Sequence, residues 1–276
     1  PPPRRTRRAR ALSLVLLIWG WALLYRRRQT QFSLPGLMTI ISSHSLIETG
    51  LITAQRNACH LFNQIKSRMI IAAGRGEREV NQAVYDLAHE LFGIRKYWHK
   101  RIVRAGKNTL LPYRENPPDL IIQPDDIVII DFGPIFDEWE ADFGRSYVIG
   151  GDARKHTLVA NTVEAFDRGK NYFESNPDCT GRDLYQYVSK LAQEYGWCFG
   201  DPHAGHLIGQ FPHESIQGDE VANYICADNC EPMRNPDENG RVRHWILEIF
   251  FVDRERQFGA FFEQLLTLSP EREGSI

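Results

Sequence analysis

Apolar positions recur at helical spacing from Ser43 to about Ile70, through Leu46, Leu51, Ala54, Ala58, Leu61 and Ile65. A glycine-bearing break, Ala73-Gly74-Arg75-Gly76, leads into a second helical run through Val80, Val84, Leu87, Ala88 and Leu91, which Gly93 ends. Pro112, Pro117, Pro118 and Pro124 make residues 108–126 a loop with a short extended piece. Strands follow at Ile127–Asp131 and Ala141–Ile149, around a polar turn near Phe136-Asp137. The spacing predicts a helix over Arg154–Phe173. A capping box, Thr180-Gly181-Arg182-Asp183, opens another through Leu184, Val188 and Leu191 to Tyr195. The last third predicts strands around His206–Gly209, at Trp245–Val252 and at Gly259–Thr267, with Asp219–Arg243 as a polar, irregular insertion. Helix pair, hairpin, helix pair, hairpin describes a mixed α/β (α+β) fold built from two similar halves.

Composition is that of a globular chain, with 42% hydrophobic and 25% charged residues among 276, which excludes a collagen-like, mainly disordered or multi-pass membrane protein. The net charge of −2 conceals a split. Residues 1–37 carry eight arginines and no acid, so the rest of the chain has a net of −10. A body that acidic is a poor match for the phosphate backbone of a nucleic acid. Five cysteines without a paired CxxC pattern read as reduced thiols of a cytoplasmic protein. Cys226 and Cys230 lack the second pair that a zinc site needs.

Between the arginine clusters lies an uncharged stretch, residues 11–25, short of the roughly 20 residues that span a bilayer. Three readings stay open for this extension: translated upstream sequence ahead of a start at Met38, an uncleaved membrane anchor, or a secretory signal that lacks its small-residue cleavage site. The expected organisation is an extension at 1–37, a catalytic domain at 38–268 and a polar tail at 269–276.

The two predicted hairpins share an arithmetic feature. Asp131 and Asp142 are symmetric about a turn centred between 136 and 137, and Glu248 and Glu263 about one between 255 and 256. In bulge-free hairpins each couple faces directly across, with Cβ atoms about 5 Å apart. The neighbours are apolar: Ile129, Ile130, Ile246, Phe250, Phe261 and Leu265. Like charges buried face to face need cations or shared protons. Four carboxylates joined by a histidine form a cage for two divalent metals. On the pattern alone, a solvent-facing role for these acids stays open beside it. His206, within Gly205-His206-Leu207-Ile208-Gly209, and His213, in Pro212-His213-Glu214, supply imidazoles suited to metal ligation or proton transfer.

From Met38 to Leu268 the chain resembles the pita-bread metallopeptidases, which comprise methionine aminopeptidases, Xaa-Pro aminopeptidases and prolidases, with creatinase as a non-metal relative. The resemblance rests on six segments: Ile130-Asp131-Phe132-Gly133, Ala141-Asp142-Phe143-Gly144-Arg145-Ser146, the two histidine segments, Leu247-Glu248, and Gly259-Ala260-Phe261-Phe262-Glu263. It implies a pita-bread fold of two pseudo-symmetric halves, each a helix pair plus antiparallel sheet. It also implies two divalent ions (manganese, cobalt or iron) held by Asp131, Asp142, His206, Glu248 and Glu263, with Asp142 and Glu263 bridging. A water or hydroxide between the ions would be the nucleophile, Glu248 would take and pass on its proton, and His213 would hydrogen-bond the scissile peptide or stabilise the tetrahedral intermediate. Where the family carries a further substrate-contacting histidine this chain has Pro112, and His99 is the nearby candidate to replace it.

The resemblance therefore implies an aminopeptidase of the Xaa-Pro type acting on peptide substrates, and a homodimer is compatible with it. A membrane enters only if residues 11–25 form an anchor. The alternatives are a methionine aminopeptidase, a metal-independent creatinase-like hydrolase and a non-catalytic peptide-binding module. Retention of all five ligand types argues against the last two.

Overall fold

A computed structural model describes residues 35–212 and 220–268, with side chains from Leu46 onward. The stretch 11–25, His213 and the tail at 269–276 lie outside the described residues. The chain divides into two units, Pro1–Ser43 and His44–Ile276, and the sheet and its cavity belong to the second.

The first two helical runs form α1 (Pro35–Ser67) and α2 (Glu77–Phe92). Gly93 ends α2 in the left-handed conformation, φ 70°, and its N–H bonds the carbonyl of His89. Strand β1 (Ile102–Ala105) and a 3₁₀ turn (Gly106–Leu110) come next. They are followed by β2 (Ile127–Phe132), a two-residue ladder of β3 (Ile135–Phe136) with β4 (Trp139–Glu140), and β5 (Phe143–Val148). Helices α3 (Ala153–Ser175) and α4 (Gly181–Glu194) make the second pair. The predicted capping box is present, with Thr180 Oγ1 accepting from the N–H of Asp183 and the Asp183 carboxylate accepting from the N–H of Thr180. The chain then runs through β6 (Cys198–Phe199), β7 (His203–Ile208), β8 (Tyr224–Cys226), β9 (His244–Asp253) and β10 (Phe258–Leu265). The sheet has the order β1-β2-β5-β10-β9-β7-β8, with β6 on β9, and its pairs are antiparallel.

Two expectations change. The polar segment before β9 is not wholly irregular, because Tyr224–Cys226 adds a strand to the edge of β7. Strand β1 is not predicted because its central Arg104 breaks the apolar pattern; the guanidinium is nonetheless buried and donates to the carbonyls of Leu111, Pro112, Tyr113 and Glu115. All five cysteines are free thiols. Among the described residues no helix is long and apolar enough to cross a membrane.

The period of two divides the sheet's labour. Val128, Ile130 and Phe132 of β2 pack with Ala54, Leu61, Val80 and Val84 of α1 and α2. Trp245, Leu247, Ile249 and Phe251 of β9, with Ala260 and Phe262 of β10, pack against Leu158, Phe166, Leu184 and Val188 of α3 and α4. The alternate residues, among them Asp131, Glu248, Phe250, Phe261 and Glu263, line a cavity instead. Each helix pair thus backs one half of the sheet, and the other face is left to chemistry.

Glu77, at the first position of α2, ties the helix to the loops beside that cavity. Its carboxylate accepts from the N–H groups of Ala105 (2.6 Å) and Leu120 (3.2 Å) and from the Asn108 amide (2.9 and 3.0 Å). Removing it strands buried donors at about 1–3 kcal/mol each. Glu77→Ala is expected to lower unfolding stability by about 2–5 kcal/mol, read from urea denaturation; a loss under about 0.5 kcal/mol would show the loops hold without it.

Candidate metal centre

Strands β2, β5, β10 and β9 lie side by side, and their registers bring one position of each into a row. Asp131 faces Gly144, Gly144 faces Glu263, and Glu263 faces Glu248. Three of the four places carry a carboxylate. Gly144 keeps the middle open, since a Cβ there would stand 2.4 Å from Phe261 Cε1. Asp142, two residues before Gly144, adds the fourth carboxylate just ahead of β5.

Glu248 and Glu263 are therefore opposite one another, as the hairpin arithmetic predicts. Asp131 and Asp142 are not. The β3–β4 ladder turns at Asp137, whose φ is 56°, and pairs Ile135 with Glu140 and Phe136 with Trp139. That centres the turn one residue later than predicted and moves each β2 partner by two. Asp142 stands beside the row, two residues ahead of Gly144.

The imidazoles arrive from two directions. His206 sits on β7, where the register slips between His203 and His206. In a regular strand residues three apart face opposite ways, but a bulge re-aims one of them, and both imidazoles line the cavity. Gly205 makes the bulge feasible: its φ is +133°, and a Cβ would come within 2.1 Å of the Ile246 carbonyl oxygen. The sequence does not single out His203 for this reason, since its spacing from His206 places it on the far side. Its Nδ1 lies 4.0 Å from Glu248 Oε2 and its Nε2 3.4 Å from Asp201 Oδ1. His99 enters from the segment before β1, with Nε2 3.0 Å from Asp142 Oδ1 and 3.6 Å from Asp131 Oδ1. His206 Nε2 lies 3.2 Å from Asp142 Oδ2 and 3.5 Å from Glu248 Oε1. Pro112 also lines the cavity.

Asp142 is thus held between two imidazoles. Burial alone would raise its proton affinity, but His99 and His206 outweigh burial and hold it below the usual carboxylate range. The other three carboxyls go the opposite way. Burial pushes Asp131 up to about 7 against the pull of His99, and Glu248 up to about 8 against that of His206. Burial, together with Asp142, Asp131 and Glu248, raises Glu263 well above its ordinary value. The imidazoles answer in kind. Burial disfavours their charge, yet Asp142 and Asp131 bring His99 to about 9, and Asp142 and Glu248 bring His206 to about 9.

The cavity has a volume of about 560 Å³. Within it, His99, Asp131 and Asp142 form one triad of donors, and Asp142, His206 and Glu263 a second, each with its donor atoms within 4.8 Å of one another. Asp142 belongs to both, and Glu248 adjoins the second through His206. Asp131 Oδ1 and Glu263 Oε2 are buried without a hydrogen-bond partner among the described residues. Unpaired buried carboxylate oxygens are what a bound cation would satisfy. An oxygen-rich donor set with imidazole suits a divalent ion such as manganese, cobalt or iron.

The sequence matches metallopeptidase family M24 over residues 50–269. The chain belongs to this family. It is 29% identical over 161 residues to an Xaa-Pro dipeptidase of Pyrococcus furiosus, an alignment that covers 57% of this chain and 45% of that protein. A Pyrococcus horikoshii Xaa-Pro dipeptidase matches to the same extent. The chain spans about half the length of these curated relatives. Among solved structures, the X-Pro aminopeptidase of Thermotoga maritima superposes with a TM-score of 0.63 at 21% identity, over 80% of this chain and 61% of that one. The Pyrococcus furiosus prolidase superposes with a TM-score of 0.61 at 21% identity, over 80% and 60%. The fold is the pita-bread fold of these M24 enzymes.

An ion bound at 100 times its Kd stabilises a protein by about 2.7 kcal/mol, equivalent to about 5–10 °C for a chain of this size. Excess Mn(II) added to the metal-stripped chain is expected to raise Tm by that amount. Glu263→Gln should lose most of the rise while leaving the metal-free Tm equal or higher. A melting curve that divalent ions do not move would show that these oxygens hold no cation.

Proposed function

We propose that the chain is an aminopeptidase of the Xaa-Pro type that works with two divalent ions held by Asp131, Asp142, His206, Glu248 and Glu263. The observation that carries this reading is the pair of donor triads sharing Asp142, with unpaired buried oxygens on Asp131 and Glu263. Asp142, the common member, and Glu263 would hold the ions together with the other three residues. When bound, the ions supply Lewis acidity toward the scissile carbonyl and a water acidic enough to attack near neutral pH.

The chain's own groups do the rest. Glu248 Oε1 faces His206, and the carboxylate stands outside both triads. It accepts the proton of the attacking water and delivers it to the departing amine. His213, outside the described residues, takes the part that the family resemblance gives it, donating a hydrogen bond to the scissile peptide. Trp98, Tyr113, Phe250 and Phe261 wall the acidic floor. Apolar walls around a few polar groups suit a short peptide with a compact ring next to the cleaved bond. The names of the Pyrococcus relatives favour the same branch.

The test is the full chain, metal-stripped and reloaded with Mn(II), incubated with a mixture of Xaa-Pro and Met-Ala peptides and read by mass spectrometry beside a chelated control. Chelator-sensitive loss of one N-terminal residue from Xaa-Pro peptides is expected. Asp131→Ala or Glu263→Ala should lower kcat/KM by about 10³ or more, as several kcal/mol of Lewis-acid stabilisation would at about 1.4 kcal/mol per decade. Consumption of the Met-Ala peptide alone would move the chain to the methionine branch. Absence of cleavage with metal bound would favour a binding role.

A further inference from the structure

We propose that His99 is itself a metal donor, joining Asp131 and Asp142, so that two histidine nitrogens flank Asp142. The proposal rests on the two-ion reading above and adds a sixth protein donor to it.

The orientation of the ring comes first. His99 Nδ1 lies 2.9 Å from the carbonyl oxygen of Lys100. A carbonyl only accepts, so Nδ1 carries the hydrogen and Nε2 is the atom turned to the carboxylates. His206 repeats the arrangement, with Nδ1 2.7 Å from the carbonyl oxygen of Leu207 and Nε2 toward Asp142. A ring N–H given to a backbone carbonyl is how metal-ligating histidines are commonly fixed. The two rings are set in the same way, one on each oxygen of Asp142.

A bare Nε2 lone pair facing carboxylate oxygens is repulsive, so a cation must lie between them, either a proton or a metal. A proton on Nε2 serves Asp142 Oδ1 at 3.0 Å. It leaves Asp131 Oδ1, 3.6 Å away, without a hydrogen bond. An ion serves all three atoms at once. Donors each about 2.1 Å from one ion stand about 3.0 Å apart at a right angle and about 3.4 Å apart at the tetrahedral angle.

The place of the ring is built. The N–H of Trp98 donates to the Gly133 carbonyl at 3.0 Å, and Trp98 Nε1 donates to the Ala141 carbonyl at 3.0 Å. These anchors lie two residues after Asp131 and one before Asp142. A Cβ at Gly133 would come within 2.0 Å of His99 Cδ2 and 2.4 Å of Trp98 Nε1, so the absence of a side chain there admits the histidine. The imidazole is 9% exposed.

The experiment labels only the histidines of the full chain with ¹⁵N, loads the metal-stripped protein with Mn(II), and counts imidazole couplings by pulsed EPR. Two couplings are expected. His99→Gln should leave one and weaken Mn(II) binding, measured by calorimetry, by at least the roughly 10–100-fold that even an outer-shell partner contributes. His203→Gln should keep both, and this variant decides the case if His99→Gln does not fold. One coupling in the wild-type protein, or a second that survives His99→Gln, overturns the proposal. One coupling with two bound ions would defeat His99 as a donor and leave the peptidase reading standing. Failure to bind Mn(II) at all would defeat both.

Discussion

Asp142 is a carboxylate gripped by an imidazole on each oxygen, while Asp131, Glu248, Glu263 and Asp201 line the same cavity. Two like charges 4 Å apart repel by about 4 kcal/mol at an effective dielectric of 20. A sheet that turns Asp131, Glu248 and Glu263 toward one another therefore needs positive charge in return. His99 and His206 supply part of it, while burial first, and the neighbouring carboxyls after it, still raise the proton affinities of Asp131, Glu248 and Glu263. Divalent cations are the natural complement. The remaining architecture can be understood as the means of bringing these groups together.

That means is largely the period of two. On β2 and through the middle of β9 and β10 the odd or even set that meets the helices is apolar, with Asp253 and Gln264 standing near the strand ends, and this core holds the strands in register. A slip of one residue would bury the carboxylates under the helices and turn Ile130, Leu247 and Phe262 into the cavity. Register at the site is thus specified by apolar packing on the other face. The helices take no part in the chemistry, yet they fix where it occurs.

Register also separates what is legible in the sequence from what is not. Helices with clean 3.6-residue periodicity and explicit ends, such as the run closed by Gly93 and the one opened by Thr180 and Asp183, are local signals and can be read directly. So can the Glu248–Glu263 pairing, because a single unbroken hairpin joins the two strands. The Asp131–Asp142 pairing misleads because a second small ladder lies inside the connection, and a one-residue change in the turn displaces every partner by two. His203 is hidden because a bulge breaks the alternation on which the inference relies. Strand β8 is concealed in a polar segment, since an edge strand of three residues carries little periodic signal. What escapes the sequence is long-range register, which apolar packing and backbone irregularities set together.

His99, the candidate that the sequence offers near Pro112, stands beside Asp131 and Asp142. The segment Trp98-His99-Lys100 faces two ways. Its tryptophan and histidine bind the backbone and carboxylates around Asp131 and Asp142, while Lys100 holds the loop that carries Pro112. The backbone N–H of Lys100 donates to the Tyr113 hydroxyl at 2.8 Å, and Nζ donates to the Glu115 carbonyl at 3.0 Å and to the carbonyl of Tyr113. Buried Arg104 grips the same loop from below through four carbonyls. Tyr113, at the rim, has its ring 6.0 Å from that of His99. His99, beside the carboxylates, and Lys100, on the rim loop, are consecutive, so a substitution that moves one is expected to move the other. The electrostatic demand of the floor and the shape of the mouth are joined through three consecutive residues, so substitutions in this segment should alter both together.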